Sequence, residues 1–314
     1  MAARPHPSPL SRVLLALALV LGGGQAAAAA DPAAINASPT LRKIRDTGLI
    51  TVGYRLSSPP FSYLNLDRQP VGYSVDLCRQ VVQAVRQRLE MPDLEVRMMG
   101  VSSATRLPLV ANGTADLECG VTTHNVERES QVAFSLTIFV ASSKLLSRKD
   151  APVLSLDDLR GRPVATTLAT TSIQFLQAEN RRRGLEMKIL AGLYDIEGFR
   201  MVTARQAAAY AMDDVLLQSL LAEAPDSADY MIAPTPLTSE PYALVLRKGD
   251  PVFKRLVDEV LAGLYRSGEI QAIYAKWFQQ PIPPRHINMQ LPMSPALQRV
   301  IAHPTDSPDP AVYR

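Results

Sequence analysis

The chain has 314 residues, of which 47% are hydrophobic and 20% are charged, a composition typical of a globular protein with a buried core. The formal charge is only +3, aromatic residues make up 6%, and no Lys/Arg-rich block is interleaved with aromatic residues, so nucleic acid is not expected as a partner. The sequence has no metal-ligand spacing of Cys and His, no phosphate-binding loop and no Gly-x-Ser-x-Gly motif, so no metal, cofactor or catalytic residue is predicted.

The N-terminus has the pattern of a secretory signal peptide. Arg4 and Arg12 precede an apolar run at residues 13–21, and the alanines at residues 26–30 offer several cleavage sites. The run is too short for a good membrane span, which takes about 20 residues. We therefore expect residues 1–30 to be removed and the mature protein to be periplasmic. Its formal charge is then +1, because two of the 33 basic residues and none of the 30 acidic residues leave with the signal.

The first half of the remaining chain alternates helical and strand patterns. Thr40 is predicted to cap a short helix that ends at Gly48, and Pro59-Pro60 to force a loop. Apolar spacing then predicts, in chain order, a strand at residues 49–53, a helix after 72–76, a strand at 94–99, a helix at 106–111 and a strand at 115–119. This alternation is typical of a sheet covered by helices, so an α/β fold is expected.

The second half of the chain repeats the same alternation. After an apolar segment at residues 134–146, the patterns predict a strand at 163–167, helices at 173–182 and 200–209, a strand at 210–213 and a helix at 214–222. They then predict a strand at 242–246 and helices at 252–266, 269–278 and 295–301. A Pro-rich tail follows and is expected to be frayed.

The most informative segment is NGTADLECGVTTHNVER at residues 112–128. It combines an Asn-Gly turn, a short apolar strand and Gly120, which lets another group approach the backbone, with the hydroxyls of Thr122 and Thr123 and the cation of Arg128. An arginine presents a planar fork of donors that can hold both oxygens of a carboxylate. The segment is therefore predicted to contribute to a site for a small anion.

Cys78 and Cys119 are the only cysteines of the chain. In an oxidising compartment they could form a disulfide, but each could equally be a small, buried hydrophobic residue. Both interpretations stay open, because pairing depends on a geometry that the sequence does not give.

Eight short stretches of the chain form an ordered set of motifs. They are Gly53-Tyr54-Arg55, Pro60-Phe61-Ser62-Tyr63, Gly72-Tyr73-Ser74-Val75-Asp76, the NGT…ECG…NVER run, Ser155-Leu156-Asp157-Asp158-Leu159-Arg160-Gly161, Met212-Asp213-Asp214, Leu246-Arg247-Lys248-Gly249-Asp250, and Trp277-Phe278 followed by Pro281-Ile282-Pro283-Pro284. In this order and with this spacing they resemble the periplasmic solute-binding proteins (family 3) of polar amino acid ABC importers, most closely the glutamate/aspartate-binding branch. The resemblance covers nearly the whole chain after the signal.

The resemblance implies a two-lobe periplasmic-binding-protein fold of type II, in which each lobe is a mixed sheet flanked by helices. Residues 31–138 and 240–314 would form the first lobe and residues 139–239 the second. Two hinge strands would cross between the lobes near residues 134–146 and 232–246. It also implies a monomer that captures glutamate or aspartate in the cleft by hinge closure and delivers it to the permease subunits of an ABC transporter in the inner membrane.

The resemblance further assigns the ends of the ligand. Arg128 and Thr123 would hold its α-carboxylate, together with Thr171 at the start of a helix, where backbone N–H groups favour an anion. Asp213 would receive the α-ammonium group. The cleft would therefore bind a zwitterion at this end.

The ligand's side-chain carboxylate would occupy a pocket formed by Arg55, Ser103 and Arg106. Phe61, which follows the Pro59-Pro60 loop, would either wall the aliphatic part of the ligand or belong to the core. The cleft would thus bind a second anionic group at its other end.

Two positions depart from the glutamate/aspartate-binding pattern. Val121 replaces a serine, so only its backbone carbonyl could help the ammonium group. Asp195 replaces a histidine, and a carboxylate about 6 Å from a ligand carboxylate costs about 3 kcal/mol at an effective dielectric of about 20. Pairing of Asp195 with Arg55 or Arg106, a register error at residues 193–197, or a ligand such as glutamine, asparagine or another neutral polar amino acid would each resolve this conflict.

Two other classes of function stay open. A periplasmic enzyme such as a dehydratase could use the same scaffold, with His124 as the one candidate base, although a packing role for this histidine is favoured. A sensor domain is the other alternative, but no transmembrane helix is predicted after the domain. A binding protein without catalytic activity is the preferred interpretation.

Overall fold

The computed structural model describes residues 1–2 and 32–313. Apart from Met1 and Ala2, the predicted signal peptide lies outside the described residues. The α-helices within the described ranges are α1 Pro32–Ala37, α2 Pro39–Thr47, α3 Tyr73–Leu89, α4 Arg106–Ala111, α5 Val126–Glu129, α6 Thr171–Arg183, α7 Asp195–Thr203, α8 Asp214–Glu223, α9 Pro251–Ser267, α10 Glu269–Phe278 and α11 Pro295–Ala302.

The strands and short 3₁₀ helices complete the elements. The strands are β1 Leu49–Arg55, β2 Ser57–Ser58, β3 Ser62–Leu64, β4 Pro70–Val71, β5 Glu95–Val101, β6 Leu117–Cys119, β7 Val132–Arg148, β8 Pro163–Thr167, β9 Lys188–Gly192, β10 Ala209–Asp213, β11 Tyr230–Ile232 and β12 Thr238–Arg247. The 3₁₀ helices are Asp157–Leu159, Ser227–Asp229 and Pro310–Tyr313.

A sheet of nine strands runs through both lobes in the order β5-β1-β6-β12-β7-β10-β8-β9, with β11 also paired to β7. In the first lobe β1 is parallel to β5 and β6, and in the second lobe β8 is parallel to β9 and β10. The long strands β7 and β12 are antiparallel and lie between these two groups. They are the two hinge strands of a two-lobe α/β fold, as predicted.

An aromatic cluster packs the first lobe against the hinge strands. Its centre is Phe61, which is fully buried and contacts Tyr73, Phe139, Tyr242 and Phe278 edge-to-face at centroid distances of 4.9–6.0 Å. Such pairs contribute about 0.5–1.5 kcal/mol each beyond the area they bury. Phe61 therefore belongs to the core of the first lobe.

Cys78 of α3 and Cys119 of β6 form a disulfide. The bond joins a helix to the central strand of the first lobe, both of which carry buried residues around it. Of the two interpretations of the cysteine pair, the structure supports the disulfide.

Most predicted elements agree with the structure to within a few residues, but the predicted cap of α2 and the predicted bounds of α7 are wrong. Ser38, not Thr40, caps α2, because its Oγ accepts from the Leu41 N–H and Pro39 occupies the first helical turn. The helix predicted at residues 200–209 is α7, which begins at Asp195 and ends at Thr203. The alanines that follow enter β10, where Ala209 pairs with both neighbouring strands, so sheet pairing overrides their helix propensity.

The C-terminal tail is docked and not frayed. The carbonyl of Thr305 accepts from the Thr137 N–H at 2.9 Å, and the Tyr313 hydroxyl bonds to Thr137 Oγ1 at 2.8 Å. Tyr313 is buried against these groups. The tail thus reaches back onto the hinge strand β7.

Candidate functional site

A small, polar cavity lies between the lobes, beyond the C-terminal ends of β1, β5, β6 and β10. Ligands of open α/β sheets bind at this edge, because the loops that leave the strands converge there. The cavity is lined by Arg55, Ser103, Arg106, Val121, Thr123, Arg128, Thr170, Thr171, Asp195, Met212 and Asp213. Nine of the ten residues predicted for the ligand site are in this set, and Phe61 is the exception.

Arg55 is the last residue of β1 and is 3% exposed. Its backbone N–H donates to Ser62 Oγ at 2.9 Å, which fixes the strand end. The buried Nη1 of its guanidinium has no hydrogen-bond partner among the described residues. A buried cationic donor without a partner is costly, so this group is well placed to bind an anion.

Arg106 begins α4 and lies on the same side of the cavity, close to Ser103 in the loop after β5. Its Nη1 donates to the carbonyl of Val121 at 3.0 Å, whereas its buried Nε has no partner in the described chain. Burial, together with the positive charges of Arg128 and Arg55, lowers the pKa of Arg106 to about 9. A bound anion would favour the charged form of Arg106 and so offset both its burial and its repulsion by the other two arginines.

Arg128 lies in the short helix α5, which Asn125 caps by accepting from the Arg128 N–H at 2.9 Å. Its Nη1 donates to the carbonyl of Thr123 at 2.7 Å, which orients the guanidinium towards the cavity that both residues line. Burial lowers the pKa of Arg128, and the negative charges of Glu240 and Asp213 oppose this change. Arg128 is thus a buried, pre-oriented cation.

The second lobe contributes the N-terminus of α6. Thr170 is its N-cap and accepts from the Ile173 N–H, and its hydroxyl donates to the carbonyl of Thr167 at 2.6 Å. Thr171, the first helical residue, donates its hydroxyl to Oε2 of Glu240 on the hinge strand β12 at 2.8 Å. The start of α6 therefore lines the cavity and is hydrogen-bonded to the hinge strand β12.

Asp213 ends β10 and occupies the N-cap position of α8 in the second lobe, without a capping hydrogen bond from its side chain. Tyr242 of β12 donates its hydroxyl to Asp213 Oδ2, whereas the buried Oδ1 has no partner within the described ranges. Burial, followed by the negative charge of Glu240, raises the pKa of Asp213 well above its ordinary value. An ammonium group bound at Oδ1 would favour the ionised form of Asp213 and so offset both its burial and its repulsion by Glu240.

Asp195, the first residue of α7, is held by hydroxyl groups. Thr167 donates to Oδ1 at 2.8 Å, and Ser58 and Tyr210 approach the carboxylate at 3.4 Å. Neither Arg55 nor Arg106 forms an ion pair with it in the part of the chain that the structure describes, so this one of the three resolutions is wrong. Asp195 itself lines the cavity.

His124 packs in the loop and does not line the cavity. Its ring stacks on Phe134 at 4.2 Å, and its Nε2 bonds to Glu129 at 2.8 Å. Burial lowers the pKa of its imidazole. The favoured packing role is therefore the one the structure supports.

Thr170 and Met212 line the cavity but were not predicted from the sequence. The buried carboxylates Glu118 and Glu240, which do not line the cavity, were not predicted either. Thr170 and Met212 are direct chain neighbours of predicted residues, which is the signal that could have found them. Glu118 is the acidic residue of the ECG run, but an isolated Glu in a strand gives no indication that its side chain is buried. None of the described helices is both long and apolar enough to cross a bilayer, and no cluster of side chains within the same ranges could hold a metal ion.

A two-lobed sheet with a buried polar cavity at the hinge is the architecture of the type II periplasmic binding proteins. Residues 50–280 match the family model of the bacterial extracellular solute-binding proteins, family 3, and the chain belongs to this family.

Relatives of known function support the same assignment. The chain is 47% identical to the L-glutamate/L-aspartate-binding protein of Pseudomonas aeruginosa over 268 residues, which are 85% of this chain and 89% of that protein. It is 40% identical to the glutamate/aspartate import solute-binding protein of Escherichia coli K12 over 293 residues, covering 93% and 96% of the two chains.

Solved structures show the same fold at lower sequence identity. The P235GK mutant of ArgBP from T. maritima superimposes with a TM-score of 0.68 at 24% identity, covering 76% of this chain and 98% of that chain. An ancestral amino acid-binding protein, described as a precursor of cyclohexadienyl dehydratase, has a TM-score of 0.66 at 24% identity, covering 76% and 100%.

Proposed function

We propose that this protein captures L-glutamate or L-aspartate in the cavity between its lobes and delivers it to the permease of an ABC importer. The observation that carries the proposal is the distribution of unpaired buried groups. Arg55 Nη1, Arg106 Nε and Asp213 Oδ1 belong to residues that line the cavity, and each lacks a hydrogen-bond partner within the described residues. An amino acid with a side-chain carboxylate would satisfy all three groups at once.

The ligand would bind with its α-carboxylate on Arg128, Thr123 and the start of α6. Its α-ammonium group would bind Asp213, and its side-chain carboxylate would bind Arg55 and Arg106. Hydrogen bonds to charged groups contribute about 1.5–3 kcal/mol each, and micromolar affinity needs about 8 kcal/mol in total. Five or six such contacts support at least micromolar affinity after the costs of ordering and closure.

Asp195 favours a second candidate ligand. A neutral amide side chain, as in glutamine or asparagine, would avoid repulsion with this carboxylate and could donate to it. The glutamate/aspartate assignment of the two close relatives and the two unpaired arginine groups support the acidic ligand more strongly.

A ligand panel tests the choice. We expect glutamate and aspartate to raise the melting temperature of the purified protein more than glutamine and asparagine do, because only the acids place a carboxylate on the two arginines. Titration calorimetry should give micromolar or tighter binding of at least one acid. A larger shift with the amides would assign the pocket to neutral ligands, and no shift with any of the four would reject the proposal.

We further propose that the protein acts without catalysis, as a periplasmic monomer. The one candidate base, His124, is engaged by Glu129 and Phe134 outside the cavity lining. Incubation with glutamate, followed by chromatography, should return the ligand unchanged, and a new product would indicate an enzyme.

The lobe boundaries at 138/139 and 239/240 belong to the same proposal, and the central position of β7 and β12 supports them.

A further inference from the structure

Glu118 lies in the middle of β6, between β1 and β12, and is fully buried. Its Oε2 accepts from the Thr122 hydroxyl at 2.8 Å, and its Oε1 has no hydrogen-bond partner in the described chain. It does not line the cavity. A buried carboxyl with one unsatisfied oxygen is costly unless nearby charges stabilise it.

The backbone next to Glu118 leaves room for this carboxyl close to the arginines. A Cβ on Gly120 would lie 2.1 Å from Glu118 Oε1 and 2.8 Å from Arg55 Cγ. These distances are far below van der Waals contact, so the carboxyl and the arginine stem both pack on the glycine. The lack of a side chain at Gly120 therefore lets the Glu118 carboxyl lie close to Arg55, which lines the cavity.

The positive charges of three arginines act on this carboxyl. Arg106, Arg55 and Arg128 all favour the ionised form of Glu118, while burial opposes it and raises the pKa of this carboxyl. In return, Glu118 is among the negative charges that oppose the lowering of the pKa of Arg106 and Arg128. The three guanidinium groups repel one another in a low-dielectric site, and Glu118 is the charge behind them that offsets this repulsion.

We propose that Glu118 is the positioning residue of the arginine cluster and sets how strongly the cavity prefers an anionic over a neutral ligand side chain. In the ligand-free protein its charge holds the cations together. When a ligand carboxylate arrives, the same charge repels it and so limits its affinity, which favours release to a permease. This inference rests on the proposed amino acid binding.

Selectivity should consequently change in Glu118→Gln, which keeps the size of the side chain and a partner for Thr122. At pH 6.5 we expect the ratio of the glutamine Kd to the glutamate Kd to rise about tenfold by calorimetry. A residue with only a structural role would lower stability and leave this ratio unchanged.

The matched control is Asp116→Asn. Asp116 is a buried carboxylate immediately before the same strand, paired with Lys43 at 2.9 Å and absent from the cavity lining. Its loss should lower the melting temperature without changing the ratio. Glu118→Asp, which retains the charge, should keep the ratio close to that of the wild type even if it is less stable.

If Glu118→Gln does not fold, Thr122→Val provides the second variant. It removes the hydrogen bond that stabilises the ionised carboxylate, so the ratio should rise in the same direction by a smaller factor. An unchanged or lower ratio in the variant that folds would overturn the proposal. A wild-type protein that binds neither amino acid would instead refute the proposed function, and the two failures are thereby distinguished.

Discussion

Arg128 is oriented before a ligand arrives, because the carbonyl of Thr123 fixes one of its guanidinium nitrogens. Lysine at this position would keep the charge but lose the planar fork that can bind two carboxylate oxygens. We expect Arg128→Lys to weaken glutamate binding about a hundredfold and Arg128→Ala to abolish it by calorimetry. Arg182→Lys, on the exposed face of α6, is the control. Unchanged affinity of Arg128→Lys would contradict the carboxylate assignment.

Asp213 should make the stability of the ligand-free protein depend on pH. Its raised pKa means that the folded protein holds a proton at pH values where the unfolded chain, with an ordinary value of 3.8, has lost it. The unfolded state is therefore favoured progressively as the pH rises above that value. We expect the melting temperature of the wild type relative to Asp213→Asn to fall between pH 5 and pH 8. A constant difference would show that the carboxyl is ionised throughout.

At the residue scale, the family resemblance selected ten residues, nine of which line the cavity, and several of these lie at strand ends or helix starts. Arg55 ends β1, Thr171 begins α6 and Asp213 ends β10. Phe61 could not be assigned in the same way, since a buried aromatic residue after a Pro-Pro loop suits a ligand wall and a core equally. Its ring contacts with Phe139 of β7 and Phe278 of α10 decide for the core, and these are long-range contacts.

At the scale of elements, the C-terminal segment stabilises the hinge strand β7. The Tyr313 hydroxyl bonds to Thr137 Oγ1 and to the carbonyl of Ser307. We expect Tyr313→Phe to lower the free energy of unfolding by about 1 kcal/mol in denaturant titrations, since a buried hydroxyl partner is lost. Tyr54→Phe, whose hydroxyl has no hydrogen bond within the described ranges, is the control. Equal stability of both variants would contradict a docked tail.

The order of the C-terminal tail and the end of α7 could not be predicted from local sequence patterns. Local patterns located α9 and α10 almost to the residue, because amphipathic spacing and a Gly between them are local signals. The tail is rich in Pro, and only its contact with β7 reveals that it is ordered. Ala209, predicted as the end of a helix, begins β10 because it pairs with β7 on one side and β8 on the other.

At the scale of the whole molecule, hydrogen bonds cross the cleft between the lobes. Gln174 of α6 donates to Glu127 of α5 at 3.1 Å, and Ser58 bonds to Asp195. We expect glutamate to lower the radius of gyration of the wild type in small-angle X-ray scattering, because ligand contacts favour the closed arrangement. The Arg128→Ala variant should show no change. A wild-type curve that does not change at saturating ligand would contradict hinge closure.

The overall architecture was predictable because eight ordered motifs and the strand–helix alternation specify two lobes and their crossings. The charge balance behind the cavity was not predictable. Glu118 lies on β6, which pairs with the strand β1 that ends in Arg55, and Glu240 lies on β12, far from these residues in the chain. Sequence spacing alone does not show which buried charges face one another.

The most direct test of the account is a crystal structure of the protein with L-glutamate. We expect the α-carboxylate within about 3 Å of the Arg128 guanidinium, a hydrogen-bond distance. The ammonium group should bind Asp213 Oδ1, and the side-chain carboxylate should bind Arg55 and Arg106. A ligand bound in the opposite orientation, or outside the cavity between the lobes, would contradict the account.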